Sequence, residues 1–444
     1  MVLIRSVSGV RGVVGSDLTA DLAERYGAAF ASLGLGSVAV GRDGRPGGDR
    51  LVRAVSRGLA AAGAAVHDLG VAPTPTVGMA VRARGFEGGV AVTASHNPEE
   101  YNGLKFFTGA GIFLDAIAAA RLFALVDAGV DLAPDTDADV VPAPGAARDH
   151  IDRVLASPFV DRAAIAERSP TIVVDCVNAS GSLVLPELLR ELGCRVVEIH
   201  TDVGAGFPRG AEPIPEHLGK LSAAVREHRA AGGLACDPDA DRLALVDERG
   251  HAIGEEYTLA IASRVVLERA PGPVVANVST SRMLDDLAAE FGVEVHRSAV
   301  GEANVVEKMT EVSAVVGGEG NGGVILPAVH AGRDAATAAA LVATAIARDG
   351  GVSGPAARFR RYAMVKEKVP IDRQAFEAGL CDAVRGAFPD GEFDGTDGAK
   401  IAWPDRWVHV RMSGTEPVAR IIAEAEREED TLALIARARA ALGQ

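Results

Sequence analysis

Gly88-Gly89-Val90-Ala91-Val92-Thr93-Ala94-Ser95-His96-Asn97-Pro98 passes from an apolar run straight into a polar loop. The apolar run predicts a buried strand. The loop places a serine and a histidine at the strand's end, where a rigid element can hold reactive groups. Pro98 restricts Asn97 to extended backbone and stiffens the loop. The next residues, Glu99-Glu100-Tyr101-Asn102-Gly103, are rich in turn formers and predict a continued turn. Taken alone, Thr93 to Pro98 reads first as a tight, hydrogen-bonded surface turn. The rest of the chain changes that reading.

Upstream, Ser37-Val38-Ala39-Val40-Gly41 predicts a strand that runs into Gly41-Arg42-Asp43-Gly44-Arg45-Pro46. Arg50 to Ala62 carries Leu51, Ala54, Val55, Leu59 and Ala62 on one helical face. Ala65 to Leu69 predicts another strand, and Thr74-Pro75 opens a helix with proline in its first turn. Strand–helix alternation of this kind implies a largely parallel sheet covered by helices. The pattern restarts after Pro142-Ala143-Pro144-Gly145 and again near Gly254, with strands expected at Val274–Asn277, Glu294–His296 and Ala314–Gly317. Near Val365 it changes to strands that read as antiparallel, Val408–Arg411 and Arg420–Glu424, followed by a last helix. The expected fold is α/β: three similar α/β domains with mixed sheets and a smaller C-terminal α+β domain around a central cleft. The expected boundaries are residues 1–148, 149–252, 253–364 and 365–444.

The 444 residues suffice for several such domains, and 48% of them are hydrophobic. The net charge of -15 argues against nucleic acid as a partner, because duplex binding draws on Lys and Arg against phosphate. Any anionic substrate therefore needs a local basic pocket. Cys176, Cys194, Cys236 and Cys381 form no CxxC pair and read as buried residues of a reducing compartment. Neither a secretory signal nor a bilayer-spanning run is visible, so the expectation is a cytoplasmic protein without membrane contact. The oligomeric state is not legible.

Three further loops carry chemistry. Asp237-Pro238-Asp239-Ala240-Asp241-Arg242 offers three carboxylates that an extended loop would turn to one side. Oxygen-only ligands suit a hard cation, Mg²⁺ or Ca²⁺. An EF-hand fails at its sixth position, which needs Gly and holds Arg242. Gly317-Gly318-Glu319-Gly320-Asn321-Gly322-Gly323 formally contains GxGxxG, but Glu319 would face a dinucleotide's pyrophosphate. A carboxylate and an amide suit sugar hydroxyls better. Arg411-Met412-Ser413-Gly414-Thr415-Glu416-Pro417, with Arg420 beyond, makes a phosphate nest.

These four loops, in this order, resemble the α-D-phosphohexomutase superfamily over essentially the whole chain. Ser8-Gly9-Val10-Arg11-Gly12, Gly41 to Pro46 and Thr74-Pro75 join the resemblance. It implies that Ser95 is the phosphoserine that donates and recovers the phosphoryl group. Asp237, Asp239 and Asp241, with the Ser95 phosphate, would bind one Mg²⁺. Arg11 and Arg242 would lie against the reacting phosphoryl, and His96 and Lys105 would assist proton transfer. Glu319 and Asn321 would hold sugar hydroxyls. Arg411, Ser413, Gly414, Thr415 and Arg420 would grip the other phosphate. The implied substrate is a phosphorylated hexose or hexosamine, with a hexose 1,6-bisphosphate as intermediate and activator.

Val7 stands where the family commonly has Thr, and Gly323 where many members have His. Asn321, with Val300-Gly301, Asn304-Val305 and Glu307-Lys308-Met309 upstream, is most like the phosphoglucosamine-mutase-like branch of archaea and some bacteria. The expected reaction is glucosamine 6-phosphate to glucosamine 1-phosphate. A phosphomannomutase or phosphoglucomutase is the alternative within the family. A metal-dependent phosphatase or a non-catalytic phosphosugar sensor is the alternative outside it.

Overall fold

The computed structural model describes residues 3–130, 139–371, 379, 381–413 and 418–443. The chain is α/β with several mixed sheets, in two compact units. One joins Met1–Ala270 to Asn321–Ala356; the other joins Pro271–Gly320 to Ala357–Gln444.

The first unit holds a seven-stranded sheet. Its centre is the Gly88–Val92 strand, buried at every residue. That strand is parallel to Ser37–Arg42 on one side and antiparallel to Tyr101–Thr108 on the other. The second of these neighbours departs from the sequence reading, which expects a turn through Gly103. Asn102 and Gly103 lie instead in a strand paired on both edges, with Gly9–Val13 as its outer partner. Tertiary pairing overrides the turn preference here, and Gly103 is required. A Cβ there would lie 2.5 Å from the Val10 carbonyl oxygen and 2.6 Å from that of Thr93.

Two helices cover one region of this sheet. Ala20–Ala31 starts at Thr19, whose side chain accepts the Leu22 N–H. It crosses Gly48–Ala61 at Gly27 and Gly58. A Cβ on either would come within 2.2 Å of the opposing backbone, so the two backbones touch directly. The helix at Thr74–Arg84 opens with Pro75 and closes on Gly85 in left-handed backbone.

A four-stranded sheet in the same unit runs Leu243–Val246, Gly232–Cys236, Thr171–Asp175, Arg195–Ile199. Only the first pair is antiparallel. A hairpin of Gly323–Leu326 and His330–Arg333 completes the unit's strands, and Ala335–Asp349 is a helix buried through most of its length.

In the second unit Val274–Asn277 lies between Val295–Ser298 and Val316–Glu319, all parallel. The last two strands sit one to two residues later than expected, so Glu319 ends a strand instead of sitting in a glycine loop. The C-terminal sheet is antiparallel, in the order Ala363–Pro370, Val418–Ala425, Trp407–Met412, Ala399–Ala402, Glu392–Asp394. Helix Glu428–Ala441 packs on it through Leu434, Ile435 and Ala438. Cys176, Cys194 and Cys236 are buried, and Cys381 is partly so. Among the described residues no helix is long and apolar enough to cross a membrane.

Candidate active site

The serine loop is moulded by a buried ion pair. Arg45 Nε donates to Asp43 Oδ2 at 2.8 Å. The same guanidinium donates to the Ser95 carbonyl and to the Tyr101 carbonyl, each at 2.7 Å. The Thr93 hydroxyl donates to Asp43 Oδ2 at 2.6 Å, and the Ser95 N–H donates back to Thr93 Oγ1 at 2.8 Å. Asp43, Arg45, Thr93 and Ser95 are buried, and Tyr101 is partly so. Together they hold Ser95 at φ 50. Left-handed backbone costs a non-glycine residue about 1–3 kcal/mol, and such strain persists only where the surroundings over-determine it.

That conformation sends the Ser95 hydroxyl to Asp237. Oγ donates to Asp237 Oδ2 at 2.9 Å, with His96 Nδ1 3.5 Å away. Burial and the nearby Arg242 and Arg11 push His96 well below its ordinary pKa. His96 is therefore a neutral imidazole at pH 7.

The acidic loop joins two antiparallel strands. It is a turn, not the extended segment expected. The Ala240 N–H donates to the Asp237 carbonyl at 3.0 Å, and Ala240 has φ 51. Asp237 Oδ1 accepts from the N–H groups of Asp241 and Arg242, each at 3.2 Å. The turn still converges the acids: one carboxylate oxygen from each of Asp237, Asp239 and Asp241 lies within 4.8 Å of the others. All three are buried.

Cations surround them. Lys105 Nζ lies 2.6 Å from Asp239 Oδ2 and 3.0 Å from Asp241 Oδ2. Arg333 Nη2 donates to Asp241 Oδ2 at 2.7 Å. Arg242 Nη1 donates to Glu212 Oε1 at 3.1 Å, with its Nε 3.7 Å from Asp241 Oδ1. Arg11 donates to Asn97 Oδ1 at 3.2 Å, and burial lowers its pKa against the pull of Asp239. The three acids answer this field differently. Burial and the other two carboxylates push Asp237 well above its ordinary value. Against burial, Lys105 and the Thr74 hydroxyl hold Asp239 below the usual range. Arg333, Lys105 and Arg242 do the same for Asp241. Three carboxylates this close cannot all ionise cheaply without added positive charge.

The donor set fits a hard divalent cation. Asp239 Oδ1 and Asp241 Oδ1 are buried and accept no hydrogen bond, an expensive state that a metal ligand resolves.

The second unit carries two of the other expected groups in order. Glu319 is buried, and its Oε1 accepts from Asn277 Nδ2 and from the Gly301 N–H, both at 2.9 Å. Arg411 Nε lies 2.8 Å from Asp397 Oδ2, which also accepts the Val300 N–H at 3.1 Å. Arg420 stands directly opposite Arg411 on one side and Lys368 on the other. Directly paired residues point to one face, so three cations form a row across adjacent strands. The buried Ser413 closes the loop by donating its N–H to the Val418 carbonyl at 2.9 Å. Gly414 and Thr415 lie outside the described residues. Asn321 belongs to the first unit, where its Oδ1 accepts the Gly323 N–H at 3.2 Å.

Sequence reasoning missed Arg45, Arg333, Thr74 and Lys368 as functional groups. Arg45 and Thr74 lie in motifs of the resemblance, so their positions were signalled although their contacts were not. Lys368 and Arg333 carry no local signal.

The chain is similar to known proteins over nearly its whole length. The sequence matches the phosphoglucomutase/phosphomannomutase family in four successive parts: alpha/beta/alpha domain I over residues 3–130, domain II over 148–250, domain III over 254–362 and the C-terminal domain over 367–442. A probable phosphoglucosamine mutase of Methanopyrus kandleri is 39% identical, over 95% of this chain and 94% of its own. A phosphoglucomutase/phosphomannomutase of Thermococcus kodakarensis is 37% identical over the same shares. The crystal structure of a phosphoglucomutase/phosphomannomutase family protein from Burkholderia thailandensis superposes with a TM-score of 0.84 at 28% identity. It covers 99% of this chain and 98% of that one.

Proposed function

Because the chain belongs to the phosphoglucomutase/phosphomannomutase family, we propose that it isomerises a hexosamine phosphate, glucosamine 6-phosphate to glucosamine 1-phosphate, through a phosphorylated Ser95. The observation that carries the reading is the meeting of Ser95 Oγ with Asp237 at 2.9 Å inside a buried triad of acids ringed by cations. Phosphoryl transfer needs positioning and charge neutralisation more than covalent assistance, and this loop pair offers both.

In the first half-reaction a sugar hydroxyl attacks the phosphorus on Ser95. The new P–O bond forms to the sugar, and the bond to Ser95 Oγ breaks. The product is a hexose 1,6-bisphosphate. After that sugar turns end for end, Ser95 Oγ attacks the opposite phosphorus, the bond from that phosphorus to the sugar oxygen breaks, the hexose 1-phosphate leaves and the phosphoryl group stays on Ser95. Its hydroxyl proton has an acceptor in the neutral His96. Lys105 is held as an ammonium by Asp239 and Asp241 against the cost of burial. It supplies charge and can return a proton to the departing oxygen. Arg11 and Arg242 would face the transferring phosphoryl. Mg²⁺ on Asp237, Asp239 and Asp241 would neutralise the charge on the transferring oxygens. Glu319 and Asn321 would take sugar hydroxyls. Arg411, Ser413, Gly414, Thr415 and Arg420, with Lys368, would take the phosphate that does not react.

A glucose or mannose phosphate is the second reading, favoured by the near-equal likeness to the Thermococcus kodakarensis protein. The test compares the 6-phosphates of glucosamine, glucose and mannose with Mg²⁺ and phosphorylated enzyme, reading 1-phosphate formation. A glucosamine preference in kcat/KM is expected. Preference for glucose or mannose overturns the substrate and keeps the mechanism. Release of free phosphate without isomer would make the protein a phosphatase, and binding without turnover would make it a sensor.

A further inference from the structure

Three consecutive residues of the acidic loop are held from two helix starts and from the strand end that leads into the second of them. The Asp239 carboxylate accepts the Thr74 hydroxyl at 2.6 Å, and its carbonyl accepts the Thr74 N–H at 2.9 Å. The Ala240 carbonyl accepts the Ala335 N–H at 3.1 Å. Asp241 accepts from Arg333. Thr74 is the first residue of Thr74–Arg84, and Ala335 is the first of Ala335–Asp349.

His150, on helix Ala146–Leu155, bridges these two starts. Its Nδ1 lies 2.7 Å from Thr76 Oγ1, and its Nε2 lies 3.0 Å from Asp334 Oδ2. Thr76, His150 and Asp334 are each at most 1% exposed. A carboxylate only accepts, so Nε2 donates to Asp334. Asp334 also caps its helix by accepting the Ala336 N–H at 2.9 Å, and it accepts the Thr337 hydroxyl. With Thr76 sealed from solvent, the Thr–His–Asp line is no nucleophile relay. Its ends lead instead to Thr74 and Arg333, which join Lys105 in holding Asp239 and Asp241.

We infer that His150 is a positioning residue for the cation site. It touches no acid of the loop. It sets the spacing between the two helix starts, and through them the spread of the carboxylates. The inference rests on reading Asp237, Asp239 and Asp241 as a Mg²⁺ site. Partners one step behind metal ligands commonly govern affinity by fixing ligand orientation.

The test is Mg²⁺ affinity of the full-length protein by isothermal titration calorimetry, well below each variant's melting temperature. Thr76→Val removes one bond of the bridge, His150→Phe removes both, and His150→Gln can retain part of it. Both disruptive variants are expected to weaken Mg²⁺ binding about 10-fold, with Gln nearer wild type. Their KM for the hexose 6-phosphate should stay unchanged, and kcat should recover at saturating Mg²⁺. A lowered melting temperature with Mg²⁺ affinity within about two-fold of wild type overturns the inference and leaves His150 as packing. If His150→Phe does not fold, Thr76→Val carries the test. Wild-type protein that binds no Mg²⁺ removes the cation site itself, a failure distinct from that of the bridge.

Discussion

The Ser95 hydroxyl donates to Asp237 across 2.9 Å although 142 residues separate the two in sequence. Neither residue has an obvious reason to be buried on its own. Each makes sense as one half of a phosphoryl-transfer site, with the serine as carrier and the carboxylate as the edge of a cation site.

Ser95→Ala should therefore abolish isomerisation, with kcat falling by at least about 10³-fold, as when a nucleophile is removed elsewhere. Mass spectrometry should find no phosphate on the loop peptide of this variant. Residual mutase activity near the wild-type level would remove Ser95 from the mechanism.

Arg45 reaches no substrate in this reading and still matters for rate. Arg45→Met leaves Asp43 as a buried, uncompensated carboxylate, a loss of roughly 3–5 kcal/mol of stability. Arg45→Lys retains charge without the planar fork that serves the Ser95 and Tyr101 carbonyls. It should fold and lose on the order of 10²-fold in kcat, the scale of a nucleophile misplaced by about 1 Å. Denaturation curves and steady-state rates on the same preparations separate the two effects.

Glu319→Gln preserves an oxygen for Asn277 and Gly301 while removing the charge offered to a sugar hydroxyl. A hydrogen bond to a charged group contributes about 1.5–3 kcal/mol, so kcat/KM should fall by roughly 10- to 100-fold. Phosphorylation of Ser95 should be unaffected. An unchanged kcat/KM would take Glu319 out of sugar recognition.

His330 and Lys400 should each contribute stability that rises with pH, in two separate windows. Burial lowers His330 to about 4, against the pull of Asp334. The unfolded chain binds this proton up to about 6.5, so stability climbs as pH rises from 4 to 6.5. Burial likewise lowers Lys400 to about 7, where its Nζ donates to the Val278 carbonyl at 2.6 Å. Its window runs from 7 to about 10.5. His330→Gln should recover on the order of 2 kcal/mol of the stability that wild type loses between pH 7 and pH 5. Chemical denaturation at both pH values checks this, and an equal loss in both proteins would contradict it.

The motifs were readable together and not singly. Ser95, the three aspartates, Glu319 and Arg411 stand in short runs that each admit an ordinary turn, and their order along the chain carries the reading. Two kinds of information were not local. Tyr101 to Gly103 looked like a turn because Asn and Gly prefer turns, yet strands on both sides recruit it. The acids converge through the left-handed Ala240 and not through strand-like alternation, and nothing in an alanine announces that backbone. Arg333 and Lys368 act through partners 92 and 52 positions away, Asp241 and Arg420, which single-chain spacing does not reveal.

The direct contact of backbones at Gly27 and Gly58 bears on the order in which the site is assembled. The two helices are near in sequence and flank Asp43 and Arg45. The bonds from those residues to the serine loop close loops of 50 residues. Lys105 must find Asp239 across 134, and the entropy of closure grows with that length. We predict that the serine cradle gains protection early in refolding and the acidic loop late. Pulsed hydrogen exchange would show it, and simultaneous protection of both loops would refute it. A chain caught midway would then hold its nucleophile loop formed before it could hold a cation.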